Sequence, residues 1–256
     1  MIAKIVVCLA AGMGAGIGTG LAGLSAAAVI SPMLITFLGF GAYEAVGIAL
    51  ASDVLASAVS AYTYGKHKNL DIRNGIVMLC AVLAFTMVGS YIASLLPNTT
   101  MGSFSVFMTL LLGIKFIVRP VMTTTNKQEE KSRRTRIIQS VLCGMVIGFI
   151  CGFIGAGGGM MMLLMLTGIL GYELKTAVGT SVFVMAFTAF TGAASHFSIS
   201  GNLPDIPALV LCVLFTFAGA QLAARFANKA PAKTLNRATG AVLTVLGLAM
   251  VGVKFL

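Results

Sequence analysis

Among the apolar stretches of this chain one carboxylate is out of place. Asp53 lies near the centre of such a stretch, and Ser57, Ser60 and Tyr64 follow at i+4, i+7 and i+11, the spacing of one helix face. A carboxylate set in hydrocarbon loses its hydration. It is retained there either to carry a proton or cation, or to bond a neighbouring helix as the neutral acid. The second candidate is backbone rather than side chain. Residues 152–161 read GFIGAGGGMM, and Gly157, Gly158 and Gly159 leave peptide N–H groups uncovered where a new helix begins. The positive end of a helix dipole binds an anion without any fixed basic residue. Close helix packing is the competing use of such small residues. A related stretch, 18–27, reads GTGLAGLSAA, with Ser25 and Ala26 at the corresponding turn and the Ser25 hydroxyl as an extra donor.

Hydroxyls and one imidazole complete the set. Thr180 and Ser181 follow Gly179 about a turn into a helix, and with Thr188, Thr191 and Ser195 they form a stripe at helical spacing. Such groups either line a cavity or bond back to their own helix carbonyls. His196, at the outer end of its helix, corresponds by position to Tyr64; there it holds an anion, gates access or caps the helix. Cys8, Cys80, Cys143, Cys151 and Cys212 show no CxxC spacing, and the consecutive Met160, Met161 and Met162 share no helix face. No disulfide framework, metal site or cofactor is expected from them. Without HExxH, GxSxG or a phosphate-loop lysine, the chain is not expected to be an enzyme.

The elements that must position these residues follow from composition. Of 256 residues, 58% are hydrophobic and 9% charged, and the mean hydropathy is +1.01, beyond the soluble norm. Several apolar runs approach the ~20 residues that cross a bilayer as helix, which predicts an all-α polytopic membrane protein rather than a barrel. The net charge of +10 sits in short loops, where it sets orientation and meets anionic lipid; no basic face or aromatic ladder points to nucleic acid. The first 16 residues resemble a signal peptide. The equivalent segment from 137 onward cannot be one, so the first is read as retained.

That equivalence is a duplication. At an offset of 132, Ala45-Val46-Gly47 falls on Ala177-Val178-Gly179, Gly20 on Gly152 and Gly23 on Gly155. Each half divides into about five apolar segments, 4–24, 27–41, 44–64, 73–96 and 100–119, then 137–155, 158–171, 174–197, 204–227 and 233–256. Residues 1–119 form the first repeat, 120–136 a basic linker and 137–256 the second repeat. The positive-inside rule places the linker, the loop of Lys66, Lys68 and Arg73, and the loop of Arg225 to Arg237 in the cytoplasm. Pro97 to Thr100 and Ser198 to Asn202 then lie outside. Five segments per half give inverted repeats, in which two short or re-entrant Gly-rich helices meet near the midplane. Paired breaks of this kind mark the substrate site of a secondary transporter.

Over nearly its full length the chain resembles the sulfite exporter TauE/SafE family of membrane permeases. The likeness rests on GFICGFIGAGGG at 148–159, Ala177-Val178-Gly179-Thr180-Ser181, Ser195-His196 with Gly201-Asn202, Ser31-Pro32, and Asn69-Leu70-Asp71-Ile72-Arg73. It implies a bacterial cytoplasmic membrane and transport of small sulfur-containing or organic anions such as sulfite, sulfoacetate or related sulfonates. The first half departs from the pattern at Leu24-Ser25-Ala26-Ala27, at Ile48-Ala49 and at Asp53. The expectation is a proton- or cation-coupled exporter, its anion held by Ser25, Ala26, Gly157, Gly158, Gly159, Thr180 and Ser181, with Asp53, Ser57 and His196 in coupling or gating. A passive anion channel and a membrane scaffold without transport are the alternatives. The expected partners are the small anion and membrane lipid, and the reading is compatible with a homodimer.

Overall fold

The computed structural model describes residues 2–95, 132–154, 158–200 and 204–231, with isolated positions between 234 and 248. The expected segments 100–119 and, apart from those positions, 233–256 lie outside the described residues, as do the linker through residue 131 and Gly157. Among the described residues the structure is helical: α1 Ile2–Ala22, α2 Ala27–Leu38, α3 Ala42–Lys66, α4 Ile72–Ser94, α5 Arg133–Ile154, α6 Gly158–Gly168, α7 Leu174–Ser200 and α8 Ile206–Lys229. Six of the eight are long and apolar enough to cross a membrane. Helix α5 begins four residues before the expected 137, because Arg133 to Arg136 extend its first turn into the polar linker.

The other two are short. At 1.5 Å per residue, α2 with 12 residues and α6 with 11 reach about 18 and 16 Å, little over half of a ~30 Å hydrocarbon core. Both end the same way. Gly39 (φ 68°) and Gly171 (φ 80°), which the repeat offset lays on one another, adopt the left-handed conformation that costs glycine nothing. Beyond them the Phe40 N–H bonds back to the Leu34 carbonyl at 3.2 Å, and the Tyr172 N–H to that of Leu166 at 2.9 Å.

Packing exchanges helices between the halves. Gly12, Gly16 and Gly20 form a stripe on α1, and a Cβ at Gly16 would overlap the Thr216 carbonyl of α8. Gly144 and Gly148 on α5 press in the same way on Met78 and Val82 of α4. Removing side chains lets two backbones meet, which in lipid replaces the hydrophobic drive that is missing there. The contacts also fix directions. Gly12, Gly16 and Gly20 meet α8 in ascending order from Cys212 to Ala224, so α1 and α8 are parallel, as are α4 and α5. Helices α3 and α7 are antiparallel: Gly47 faces Phe197, Gly192 faces Leu50, and Gly179 faces Tyr64.

Helices α1 and α3 run the same way, since the Tyr64 hydroxyl donates to the Gly20 carbonyl at 3.0 Å while Lys4 lies 5.8 Å from the Phe40 ring centroid at the other end. Short α2 therefore returns the chain to the side where α1 began. Opposite ends of the bundle differ in charge. Asn69, Lys175 and Asn228 are hydrogen-bonded together at the end that carries Lys66, Lys68, Arg73 and Lys229. The other end holds the Lys4–Asp205 ion pair at 2.6 Å, with Glu44 accepting the Asp205 N–H. Leu9, Met87, Phe190 and Leu222 are among the large apolar side chains left exposed around the outside, where lipid would meet them.

Candidate functional site

The α1–α2 turn, the middle of α3 and the beginnings of α6 and α7 converge on one buried region. Asp53, near the middle of the 25-residue α3, is 1% exposed. Its Oδ2 accepts from the Ser25 hydroxyl and its Oδ1 from the Ser57 hydroxyl, both at 2.9 Å. The Ala26 backbone amide bonds to the same carboxyl group. Ala26 is the N-cap of α2 and makes no side-chain cap of its own. Asp53 supplies that cap from another helix, satisfying a donor that the first turn would leave open and meeting the positive end of the dipole. Ser25 and Ala26, expected as donors to a substrate, are thus gathered on the chain's own carboxyl group.

The second turn enters through Gly159. A Cβ there would overlap the Gly23 carbonyl and crowd the Ser25 amide and the Met185 sulfur, so the start of α6 touches the α1–α2 turn backbone to backbone. Gly158 opens the same helix. Gly23 ends α1 at φ 62°, and the Ser181 hydroxyl fills the place its Cβ would take. Close packing and proximity to the site are therefore properties of the same glycines.

The hydroxyl stripe of α7 behaves differently from a cavity lining. Ser181 donates to the Val178 carbonyl at 2.8 Å, Thr188 to Val184 at 2.8 Å and Thr191 to Phe187 at 3.0 Å, which leaves these protons inside their own helix. Thr180 is turned to the α3–α4 loop, where its Oγ1 accepts the Asp71 N–H at 3.1 Å. Ser60, on the Asp53 face, is fully buried, and its hydroxyl meets no hydrogen-bond partner among the described residues.

His196 is not at a vestibule. Helix α7 continues to Ser200, and the imidazole is 1% exposed, stacked on Tyr43 with centroids 4.2 Å apart and planes 27° apart. The backbones of Tyr43 and Gly152 approach its ring, but neither reaches hydrogen-bonding geometry with a ring nitrogen. Sequence reasoning singled out His196 without Tyr43, and Asp53 without Met185. The signal for the second pair was present: the repeat offset lays Asp53 on Met185, just as it lays Gly20 on Gly152 and Tyr64 on His196.

A family model described as sulfite exporter TauE/SafE matches residues 8–250. The chain is similar to the probable membrane transporter protein YunE of Bacillus subtilis, at 26% identity over 97% of this chain and 97% of that protein. It is also similar to the probable membrane transporter protein YdhB of the same organism, at 23% identity over 91% of this chain and 94% of that one. A probable membrane transporter protein of Methanocaldococcus jannaschii is 24% identical, with 92% and 91% covered. No solved structure matches the chain.

Proposed function

Because this chain belongs to the sulfite exporter TauE/SafE family and is a multi-pass membrane transporter, we propose that it exports small sulfur-containing or organic anions, sulfite, sulfoacetate or related sulfonates, by proton- or cation-coupled alternating access. One observation carries this reading, the unequal filling of two like positions. At the first turn Asp53 caps the N-terminus of α2. At the start of α6 the corresponding residue is Met185, a thioether that brings no charge. A substrate anion would take at α6 the place that the carboxyl group takes at α2, held by backbone N–H groups of Gly157, Gly158 and Gly159. Ser60, seven residues beyond Asp53 on the same face of α3 and without a hydroxyl partner among the described residues, is a spare donor.

Two halves of opposite orientation suit such a mechanism. The antiparallel run of α3 and α7, the exchange of α1 and α5 between halves, and the single basic end support that arrangement, with the basic end in the cytoplasm. Among the described residues Asp53 is the buried acid, so a proton carried with the substrate would ride there.

The test is Asp53→Asn in liposomes. Asparagine keeps the shape of the neutral acid, so exchange between equal pools of sulfite or sulfoacetate persists while gradient-driven accumulation is lost between about pH 5 and 8. An asparagine variant with wild-type pH dependence would move coupling elsewhere. Wild-type protein that equilibrates these anions without ever accumulating them is a channel.

A further inference from the structure

The two ends of the bundle differ in a way that the transport reading does not use. At one end the first turns of the parallel helices α1 and α8 are joined by Lys4 and Asp205. At the other, the first turns of the parallel pair α5 and α4 carry Arg136 and Arg73, the repeat equivalents of Lys4 and Asp205 in that order. The equivalent positions hold a cation and an anion at one end, two cations at the other. Both arginines, Arg73 exposed and Arg136 half-buried, line a cavity of about 140 Å³ together with Asn74, Val77 and Ile137. The Nε of Arg136 is buried and meets no hydrogen-bond partner among the described residues. Asp71, two positions from Arg73, is engaged by the Asn74 backbone N–H at 3.1 Å, the Asn74 side-chain amide at 2.6 Å and the Tyr172 hydroxyl at 3.0 Å.

An anion between like charges at neighbouring helix ends relieves their repulsion, and a guanidinium fork matches two oxygens of a tetrahedral oxyanion at once. The dipoles of α4 and α5 add to the same field, because both helices begin there. We infer that Arg73 and Arg136 form an oxyanion site at the basic end of the bundle, separate from the buried region around Asp53, for a sulfonate- or phosphate-type group. That group comes either free in solution or as the headgroup of an anionic phospholipid. The site stands or falls independently of coupling at Asp53.

Two probes distinguish the sources. Purified protein in neutral detergent is titrated with sodium sulfate at constant ionic strength, reading the melting temperature, and is separately scored by native mass spectrometry for retained phosphatidylglycerol. Saturable stabilisation by sulfate that weakens about tenfold in Arg136→Gln and in Arg73→Gln assigns the site to a free oxyanion. Retained phosphatidylglycerol that is lost in the same variants assigns it to lipid. If either glutamine variant misfolds, Arg136→Lys and Arg73→Lys replace it; they keep the charge but lose the fork, and binding weakens in them too. Variants that bind both probes like the wild type overturn the proposal. So does a wild-type chain that binds neither.

Discussion

The starts of α2 and α6 lie close together at the centre of the molecule and differ in chemistry. The first lies among Ser25, Asp53, Ser57 and Ser181, and its helix start is capped by a carboxyl group that belongs to the chain. The second meets Met185 at Gly159, and the repeat equivalent of Ser57 is Ala189. Two helix ends with the same dipole thus meet different groups: one a carboxyl group of the chain itself, the other a thioether, which under the proposed function leaves its field for a group from outside.

The comparison is broken most severely at the point where the turns touch. Gly159→Ala sets a methyl group against the Gly23 carbonyl, backbone that cannot swing aside, and should cost about 3 kcal/mol or more in a detergent melt. Gly168→Ala, with nothing near its added carbon, should stay within about 0.5 kcal/mol. Equal melting of the two would mean that the turns are not in contact. Met185→Asp sharpens the contrast by giving the second turn a carboxyl group of its own. Affinity for sulfonates should drop by about 10- to 100-fold, against little change in Met185→Leu. Unchanged binding by the aspartate variant would remove the α6 end from consideration.

Smaller effects separate hydroxyls that serve Asp53 from those that do not. Ser57→Ala and Ser25→Ala each take a donor from a buried carboxyl group and should cost about 1–2 kcal/mol, whereas Ser181→Ala, which loses only a bond to its own helix, should cost about 0.5 kcal/mol. Similar losses at all three would make the Asp53 cluster no different from ordinary packing. A further modest effect lies at the start of α8. The Lys4 ammonium, followed by the Ala208 N–H, holds the Asp205 carboxyl below the usual carboxylate range. A depressed acid stabilises the fold above its unfolded value and loses that effect as pH falls through the folded one. The pair is partly exposed, so Asp205→Ala should cost only about 0.5–1 kcal/mol near neutrality, and the gap to wild type should close below about pH 4.

Helix positions were legible because hydrophobicity dictates them. The expected 44–64 and 174–197 became Ala42–Lys66 and Leu174–Ser200, since polar residues at a bilayer edge continue a helix whose apolar core is already set. Asp53 was legible as an acid in the wrong solvent. Its engagement with Ser25, 28 positions away, was not, because nothing local says which helix end a buried carboxyl group will reach. The α7 hydroxyls read as a lining by spacing alone, yet spacing does not tell whether a proton points outward or back to the helix. His196 read as terminal because the apolar run fades before Ser200, and Tyr43 arrives from the other half to cover it. The glycine stripe at 12, 16 and 20 and its copy at 144, 148 and 152 were visible in the sequence. Their partners, α8 and α4, were not, since each lies in the opposite half.

That last exchange bears on how the protein is made. The glycine face of α1 leaves the ribosome first, but the helix it fits, α8, begins only at Ile206. At about 5–20 residues per second, α1 waits about 10–40 s with its backbone groove open to lipid. Helices α4 and α5 have a much shorter interval between them, so the middle of the chain can assemble while its two ends are still apart. Insertion of α8 is then the step that gives α1 its partner. A nascent chain stalled after α7 would leave α1 available to membrane chaperones and proteases, making translation itself a checkpoint for the finished fold.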